Sequence, residues 1–233
     1  MSCKKIDDFL RLLKESPSSA VFNPWWQVDE QNDIGRNAPE IRRKQLRAYL
    51  RKRLRKANVA IIGEALGYRG GHFSGIPMTS ERLLLGRSKG FALEPNDLFS
   101  SIKPRRTSKP EKWPDGFSEP TATIVWIALL RLGLKPDQFV LWNAFPWHSF
   151  DRRRGMLSNR TPNESERSAG LLVLKAFLEL FPCEQIVALG KIAAAQLEEL
   201  GVDASRVCGI RHPASGGAKL FRQQIAKIVG GLD

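Results

Sequence analysis

The sequence predicts an α/β fold: a single domain with a mostly parallel sheet, behind a helical N-terminal extension. Three observations carry this. Four short apolar runs have the character of buried parallel strands: Asn58-Val-Ala-Ile-Ile-Gly63, Phe139-Val-Leu-Trp142, Gln185-Ile-Val-Ala-Leu-Gly190 and Arg206-Val-Cys-Gly-Ile210. Helical patterns alternate with these runs, as a parallel sheet requires. The 233 residues are 42 % apolar and 26 % charged, a globular composition of a length that suits one domain with an extension.

Residues 1–58 read as the extension. A short helix over 6–14 carries Phe9, Leu10, Leu12 and Leu13, and a loop with Pro17, Pro24 and the pair Trp25-Trp26 follows. A long helix over 38–56 has Pro39 in its first turn, where a missing N–H does no harm. Leu46, Tyr49, Leu50 and Leu54 recur at helical spacing and form its packing face. Its remaining surface is basic: Arg42, Arg43, Lys44, Arg47, Arg51, Lys52, Arg53, Arg55 and Lys56. That surface is either a solvated face or one that lies along phosphates.

The main domain is expected over 59–233. After its first strand, 79–85 reads as a helical turn. Residues 101–120 hold four prolines among Lys103, Arg105, Arg106, Lys109 and Lys112, and read as an exposed basic loop. The segment 121–132 is apolar nearly all round and reads as a buried helix. Beyond the second strand, residues 151–154 open another basic loop. Thr161-Pro-Asn-Glu164 fits a capping box that starts a helix running to about residue 181. A helix over 191–200, closed by Gly201, follows the third strand. A last helix over 218–229 places Phe221, Ile225, Ile228 and Val229 on one face.

The 37 Lys and Arg against 24 Asp and Glu leave a net charge of +13, which points to a polyanionic partner, most often nucleic acid. No run of about 18 apolar residues offers a membrane span. The first residues lack an apolar signal core, so a cytoplasmic protein is expected, held at the nucleoid through DNA. Cys3, Cys183 and Cys208 are too few for a disulfide framework, and no Cys-x-x-Cys suggests zinc or an iron–sulfur cluster. His72, His148 and His212 have no metal spacing. No metal, no cofactor and a monomeric state are expected.

Familiar nucleotide and nucleophile motifs do not fit. Gly190-Lys191 lacks the flanking residues of a phosphate loop, and 63–71 does not match Gly-x-Gly-x-x-Gly. Ser74 is not in a nucleophile elbow. What remains is a polar residue after each of three strands: Glu64, Asn143 and His212. A carboxylate can orient a water, an amide can read the edge of a planar base, and an imidazole can donate to an oxygen gaining charge. Tyr68, Phe73, Met78, Phe145 and Trp147 can wall in a ring. Each has a plainer use: Glu64 as a loop cap, Asn143 as a turn residue, His212 as a satisfied histidine. His72 is either on the surface or on a site wall.

Three segments resemble, in order, the motifs of the uracil-DNA glycosylase superfamily. Gly63-Glu-Ala-Leu-Gly-Tyr-Arg-Gly-Gly-His-Phe-Ser-Gly-Ile-Pro-Met78 resembles the first motif, in its Gly-Glu-Ala-Pro-Gly form. Trp142-Asn-Ala-Phe-Pro-Trp-His148 is similar to the base-reading segment, and His212-Pro-Ala-Ser-Gly-Gly217 to the His-Pro-Ser motif. Leu157-Ser-Asn-Arg-Thr-Pro162 and Ala188-Leu-Gly-Lys-Ile-Ala-Ala194 resemble text of bacterial members. The resemblance covers about 59–230 and implies a short, mainly parallel four-stranded sheet between helices.

It also implies roles. Glu64 would position the attacking water and His212 would donate to the 2-oxygen of the departing base. Asn143 would bond the edge of a flipped uracil, in a pocket formed with Gly63, Ala65, Tyr68, Phe73 and Met78. Tyr68 would either crowd out a thymine methyl or simply pack. Ser215, Gly216, Gly217, Lys219 and Arg222 would grip DNA, with Leu220 or Lys219 as a wedge. The sequence departs from the pattern at Leu66, where the motif has Pro, at Met78, where it has a stacking Phe, and at Ala214. The implied activity is hydrolysis of the N-glycosidic bond of uracil in DNA, leaving an abasic site for base-excision repair. The alternatives are a glycosylase for hypoxanthine, xanthine or mismatched thymine, and a non-catalytic DNA- or abasic-site-binding protein of the same fold.

Overall fold

The chain begins with α1 (Ser2–Leu12), β1 (Val21–Phe22), α2 (Ala38–Arg53) and β2 (Val59–Ala65). Three short helices follow, α3 (Gly71–Ser74), α4 (Glu81–Leu84) and α5 (Pro95–Leu98), then α6 (Pro120–Arg131). The second half holds β3 (Phe139–Phe145), β4 (His148–Ser149), α7 (Glu164–Leu180), β5 (Gln185–Leu189), α8 (Lys191–Glu199), β6 (Val207–Ile210) and α9 (Ala218–Val229). This computed structural model describes residues 2–18, 20–88, 90–91 and 93–231, and of residues 2 and 3 the backbone alone, so the Cys3 side chain lies outside the described residues.

Four strands form one parallel sheet in the order β3-β2-β5-β6. β3 is buried along its whole length and β2 along its first five residues, which is why both read as unbroken apolar runs. The chain leaves β2 toward one side and later returns to the other, so a switch point lies at the carboxyl end of β2. Ligands of open parallel sheets bind at such points. Register sharpens this: β2 pairs with β5 only as far as Ile62↔Ala188, but with β3 as far as Ala65↔Phe145. Beyond Ile62, one side of β2 is open. Among the described residues no helix is long and apolar enough to cross a membrane.

The N-terminal segment shares the core of the sheet. Ile6, Phe9, Leu10 and Leu13 of the first segment join the same buried cluster as the strands. Phe9 meets Trp142 edge-on at 5.2 Å, and Trp25 stacks on Trp142 at 6.1 Å. β1 pairs with β4 in a two-residue antiparallel ribbon too short for any sequence pattern to announce.

Three expectations need correction. The basic surface of α2 is not one face: Arg42 and Arg53 are fully buried. Arg42 binds the Asp33 carboxylate at 2.7 and 2.9 Å, and the Arg53 guanidinium lies 3.7 Å over the Tyr49 ring. The 101–120 segment is no free loop. Thr107 and Ser108 are buried, their N–H groups donate to Glu81 at 2.7 and 3.0 Å, and Lys109 and Lys112 donate to backbone carbonyls of Glu30 and Gln31. Finally, α7 is capped by Asn163. Its Oδ1 accepts from Glu166 N–H while Glu166 accepts from Asn163 N–H, both at 2.9 Å, and Arg160 holds the Glu166 carboxylate from the far side at 2.6 Å. Thr161 and Glu164 therefore take no part in the box.

Candidate active site

The open end of β2 forms the floor of a cleft of about 560 Å³. It is lined by Gly63, Glu64, Ala65, Met78, Asn143, His212 and Ser215 among the residues expected from sequence. Three separate strand ends thus bring the carboxylate, the amide and the imidazole into one space.

Each is set by its backbone. Gly63 and Asn143 are register partners, and a Cβ at Gly63 would lie 2.6 Å from Asn143 Oδ1, so glycine is what lets the amide lie over β2. The Asn143 side chain is buried and has no side-chain hydrogen bond among the described residues. Met78 has φ +47°, a conformation that costs a residue with a side chain on the order of 1–3 kcal/mol. In return, its sulfur sits 3.4 Å from the position of that same Cβ, against the floor.

His212 follows β6 on a tight loop. Ser215 and Gly216 have φ +52° and +78°, and a Cβ at Gly217 would collide with the His212 carbonyl oxygen. The Ala214 N–H donates to His212 Nδ1 at 3.1 Å. That bond requires an unprotonated Nδ1 and leaves the proton of a neutral ring on Nε2. Burial, aided by the neighbouring Arg211 charge, holds the His212 pKa below its ordinary value. The ring is accordingly a neutral Nε2–H donor at neutral pH.

Other expected residues lie elsewhere. Phe73 is buried away from the cleft, stacked on Phe117 at 4.3 Å, while Phe145 and Trp147 pack in the core. Tyr68 stands edge-on to Phe117 at 6.1 Å, and its hydroxyl accepts from Arg69 at 2.9 Å. Of the expected ring wall, Met78 alone lines the cleft. Gly216, Lys219 and Arg222 are exposed at the start of α9 and outside the lining, and Leu220 beside them is 47 % exposed.

His72 and His148 are interior. Their Nδ1 atoms are 3.0 Å apart, His72 Nε2 is 3.3 Å from Asp29, and His148 Nε2 lies 2.7 Å from the Ser158 carbonyl. Burial, with the charge of His72, pushes the His148 pKa down to about 3. A neutral His148 therefore pins Ser158 and sets the position of Asn159 next to it. Among the described residues no cluster of His, Cys, Asp and Glu could hold a metal ion.

The family model of the uracil DNA glycosylase superfamily matches residues 53–227, well over half the chain. The chain belongs to the uracil DNA glycosylase superfamily. Membership places it among the DNA glycosylases of base-excision repair, which act on DNA. Of solved structures, wild-type SMUG2 of Pedobacter heparinus is similar, with a TM-score of 0.63 and 15 % identity, over 98 % of this chain and 97 % of that one. At that identity the likeness is one of fold. No curated protein matches.

Sequence reasoning did not assign roles to several residues of this glycosylase's cleft: Glu119, Thr121, Asn159, Arg160 and Thr161. The last three stand in the segment Leu157-Ser-Asn-Arg-Thr-Pro162, so a signal existed. Asn159 Oδ1 accepts from the Tyr68 N–H at 3.0 Å and ties this segment to the first motif. Glu119 had no signal. It ends the proline-rich segment and becomes part of the site only through the packing of α6.

Proposed function

We propose that this superfamily member is a monofunctional DNA glycosylase that excises uracil and leaves an abasic site. The observation that carries the reading is the convergence of Glu64, Asn143 and the Nε2–H of His212 on one cleft from three strand ends.

The chemistry follows from the groups. A flipped uracil presents a ring N–H beside a carbonyl. One amide, accepting with Oδ1 and donating with Nδ2, matches that pair, and cytosine presents the reverse pattern. As the C1′–N1 bond stretches, its electron pair moves into the ring and negative charge gathers on the 2-oxygen. A preorganised neutral donor aimed there lowers the barrier without itself having to lose a proton. The Glu64 carboxylate orients a water toward C1′ and offsets the positive charge of the sugar. Among the described residues no lysine lines the cleft, so no side-chain amine is placed to attack C1′ and cut the strand. The exposed Arg152, Arg153, Arg154, Lys219 and Arg222 supply cations for phosphates, in a protein expected to work in the cytoplasm on nucleoid DNA.

The test is excision from a duplex carrying one uracil, read as alkali-labile strand cleavage. Cleavage after alkali, and none without it, supports the reading. Normal binding with no alkali-labile product overturns it.

A further inference from the structure

His148 is buried and lies outside the lining of the cleft, yet its hydrogen bonds lead there. Its protons can be counted. A carbonyl oxygen only accepts, so the contact of 2.7 Å with Ser158 places a proton on His148 Nε2. In a neutral ring Nδ1 is then an acceptor, and the proton between the two histidines sits on His72 Nδ1. The His72 ring is in turn fixed by Phe22 and Phe73, each with its centroid 4.2 Å away. Phe22 belongs to β1, where its register partner is His148 itself. The backing of His148 thus comes from the N-terminal segment, ahead of residues 53–227.

Ser158 has two further attachments. Its hydroxyl accepts from the Asp151 N–H at 3.0 Å and donates to the Gly155 carbonyl at 2.6 Å. Those bonds close the loop that displays Arg152, Arg153 and Arg154 to solvent. The next residue, Asn159, lines the cleft and accepts from the Tyr68 N–H at 3.0 Å. The N-terminal segment meets this stretch a second time. The Ala20 carbonyl accepts from the Phe150 N–H at 3.0 Å and from Arg160 Nη2 at 3.1 Å. One buried residue therefore joins a loop of exposed cations to a wall of the cleft.

An apolar side chain could fill the space of His148. What the imidazole adds is a donor to Ser158 and an acceptor for His72. Without the donor, the Ser158 carbonyl is left buried and unpaired, and the segment must shift to satisfy it. We infer that His148, backed by the N-terminal segment, is a positioning residue whose Nε2–H sets Ser158 and so aligns the arginine loop on the DNA backbone with the Asn159 wall of the cleft. The excision half of this inference rests on the uracil reading above; the binding half does not.

The experiment compares the full chain with His148→Leu and His148→Gln, per folded molecule. Glutamine keeps an N–H near the place of Nε2 and an oxygen that can accept from His72. One reading is affinity for undamaged duplex over a range of salt. The other is single-turnover excision of uracil at saturating protein. In His148→Leu the slope of log affinity against log salt should fall by about 0.9 for each arginine that loses its phosphate, and by about 3 at most. Excision should slow on the order of 10²-fold. His148→Gln should restore both readings to near the unsubstituted values. A merely structural role lowers the folded fraction and moves neither reading per folded molecule. Unchanged readings in His148→Leu, a fall in only one of them while excision is measurable, or equal losses in the two variants overturn the inference. If His148→Leu does not fold, Ser158→Ala decides, because it opens the loop without touching the histidines. A slope lowered by about 1 or more then supports the inference, and an unchanged slope overturns it. If no protein excises uracil but the slope falls in His148→Leu and returns in His148→Gln, the uracil reading falls and the positioning of the loop stands. Excision by the unsubstituted chain with equal slopes in all three does the reverse.

Discussion

Two polar regions lie close in sequence and differ in kind. One is the interior cluster where Arg42 meets Asp33 and His72 meets Asp29 and His148. The other is the strand-end cleft with Glu64, Asn143, Glu119 and His212. In the first, most groups turn toward one another: Arg42 alone reaches Asp33, the Gln27 carbonyl and Thr107, and His72 Nε2 faces the Asp29 carboxylate at 3.3 Å without a well-formed hydrogen bond. In the second, the Asn143 amide and the Nε2–H of His212 have no protein partner among the described residues. The contrast separates polar groups that hold the fold from polar groups kept open for a ligand. Substitutions in the two regions should fail in opposite ways.

The largest effect is expected in the closed cluster. Arg42→Ala leaves Asp33 buried and uncompensated and should lower unfolding stability by about 3–5 kcal/mol, read by urea denaturation. Lys44→Ala removes an exposed pair with Glu40 on the same helix and should leave the urea midpoint nearly unmoved. Asn143→Ala and His212→Ala should reverse the pattern. Each should slow excision on the order of 10²–10³-fold, with the denaturation midpoint nearly unmoved. A large loss of stability in either would break the comparison.

The histidine cluster supplies a pH test. Because the His148 pKa is about 3 in the folded protein and near its ordinary 6.5 when unfolded, the unfolded chain takes up a proton that the folded one refuses. Stability should therefore be fully present above about pH 6.5 and fall on acidification toward 3, by roughly 1.4 kcal/mol per pH unit from this group. His148→Gln should flatten that slope in urea titrations at several pH values. The smallest effect sharpens the account of DNA contact. Lys219→Ala should weaken binding evenly across sequences and reduce the slope of log affinity against log salt by about 1.

The same contrast explains what was legible in the sequence. Three of the four parallel strands show as continuous apolar runs because β2, β3 and β5 are largely buried, whereas the edge strand β6 is half-exposed and reads as a strand only from its place between two helices. Glu64, Asn143 and His212 stand out because each interrupts the pattern at a strand end. The identity of the base-stacking wall was not legible. Phe73 has the composition of a stacking residue, yet it packs on Phe117, from a loop some forty residues away that no local pattern connects to it. The fate of the basic residues was equally hidden. Arg42 and Arg53 look like Arg51 in sequence, and only tertiary partners decide that two of them are structural. Glu119 carries no local signal, because its place at the cleft depends on how the start of α6 packs against the turn after β2.

The open groups of the cleft are proposed to hydrolyse the bond between a deaminated base and its sugar in DNA. The most direct measurement is single-turnover excision of a lone uracil, for the unsubstituted chain and Asn143→Ala side by side, with duplex affinity measured on the same samples. Alkali-labile product is expected from the first, a loss on the order of 10²–10³-fold in the second, and equal affinity for undamaged duplex. Equal excision by both, or none by either despite tight binding, would contradict it.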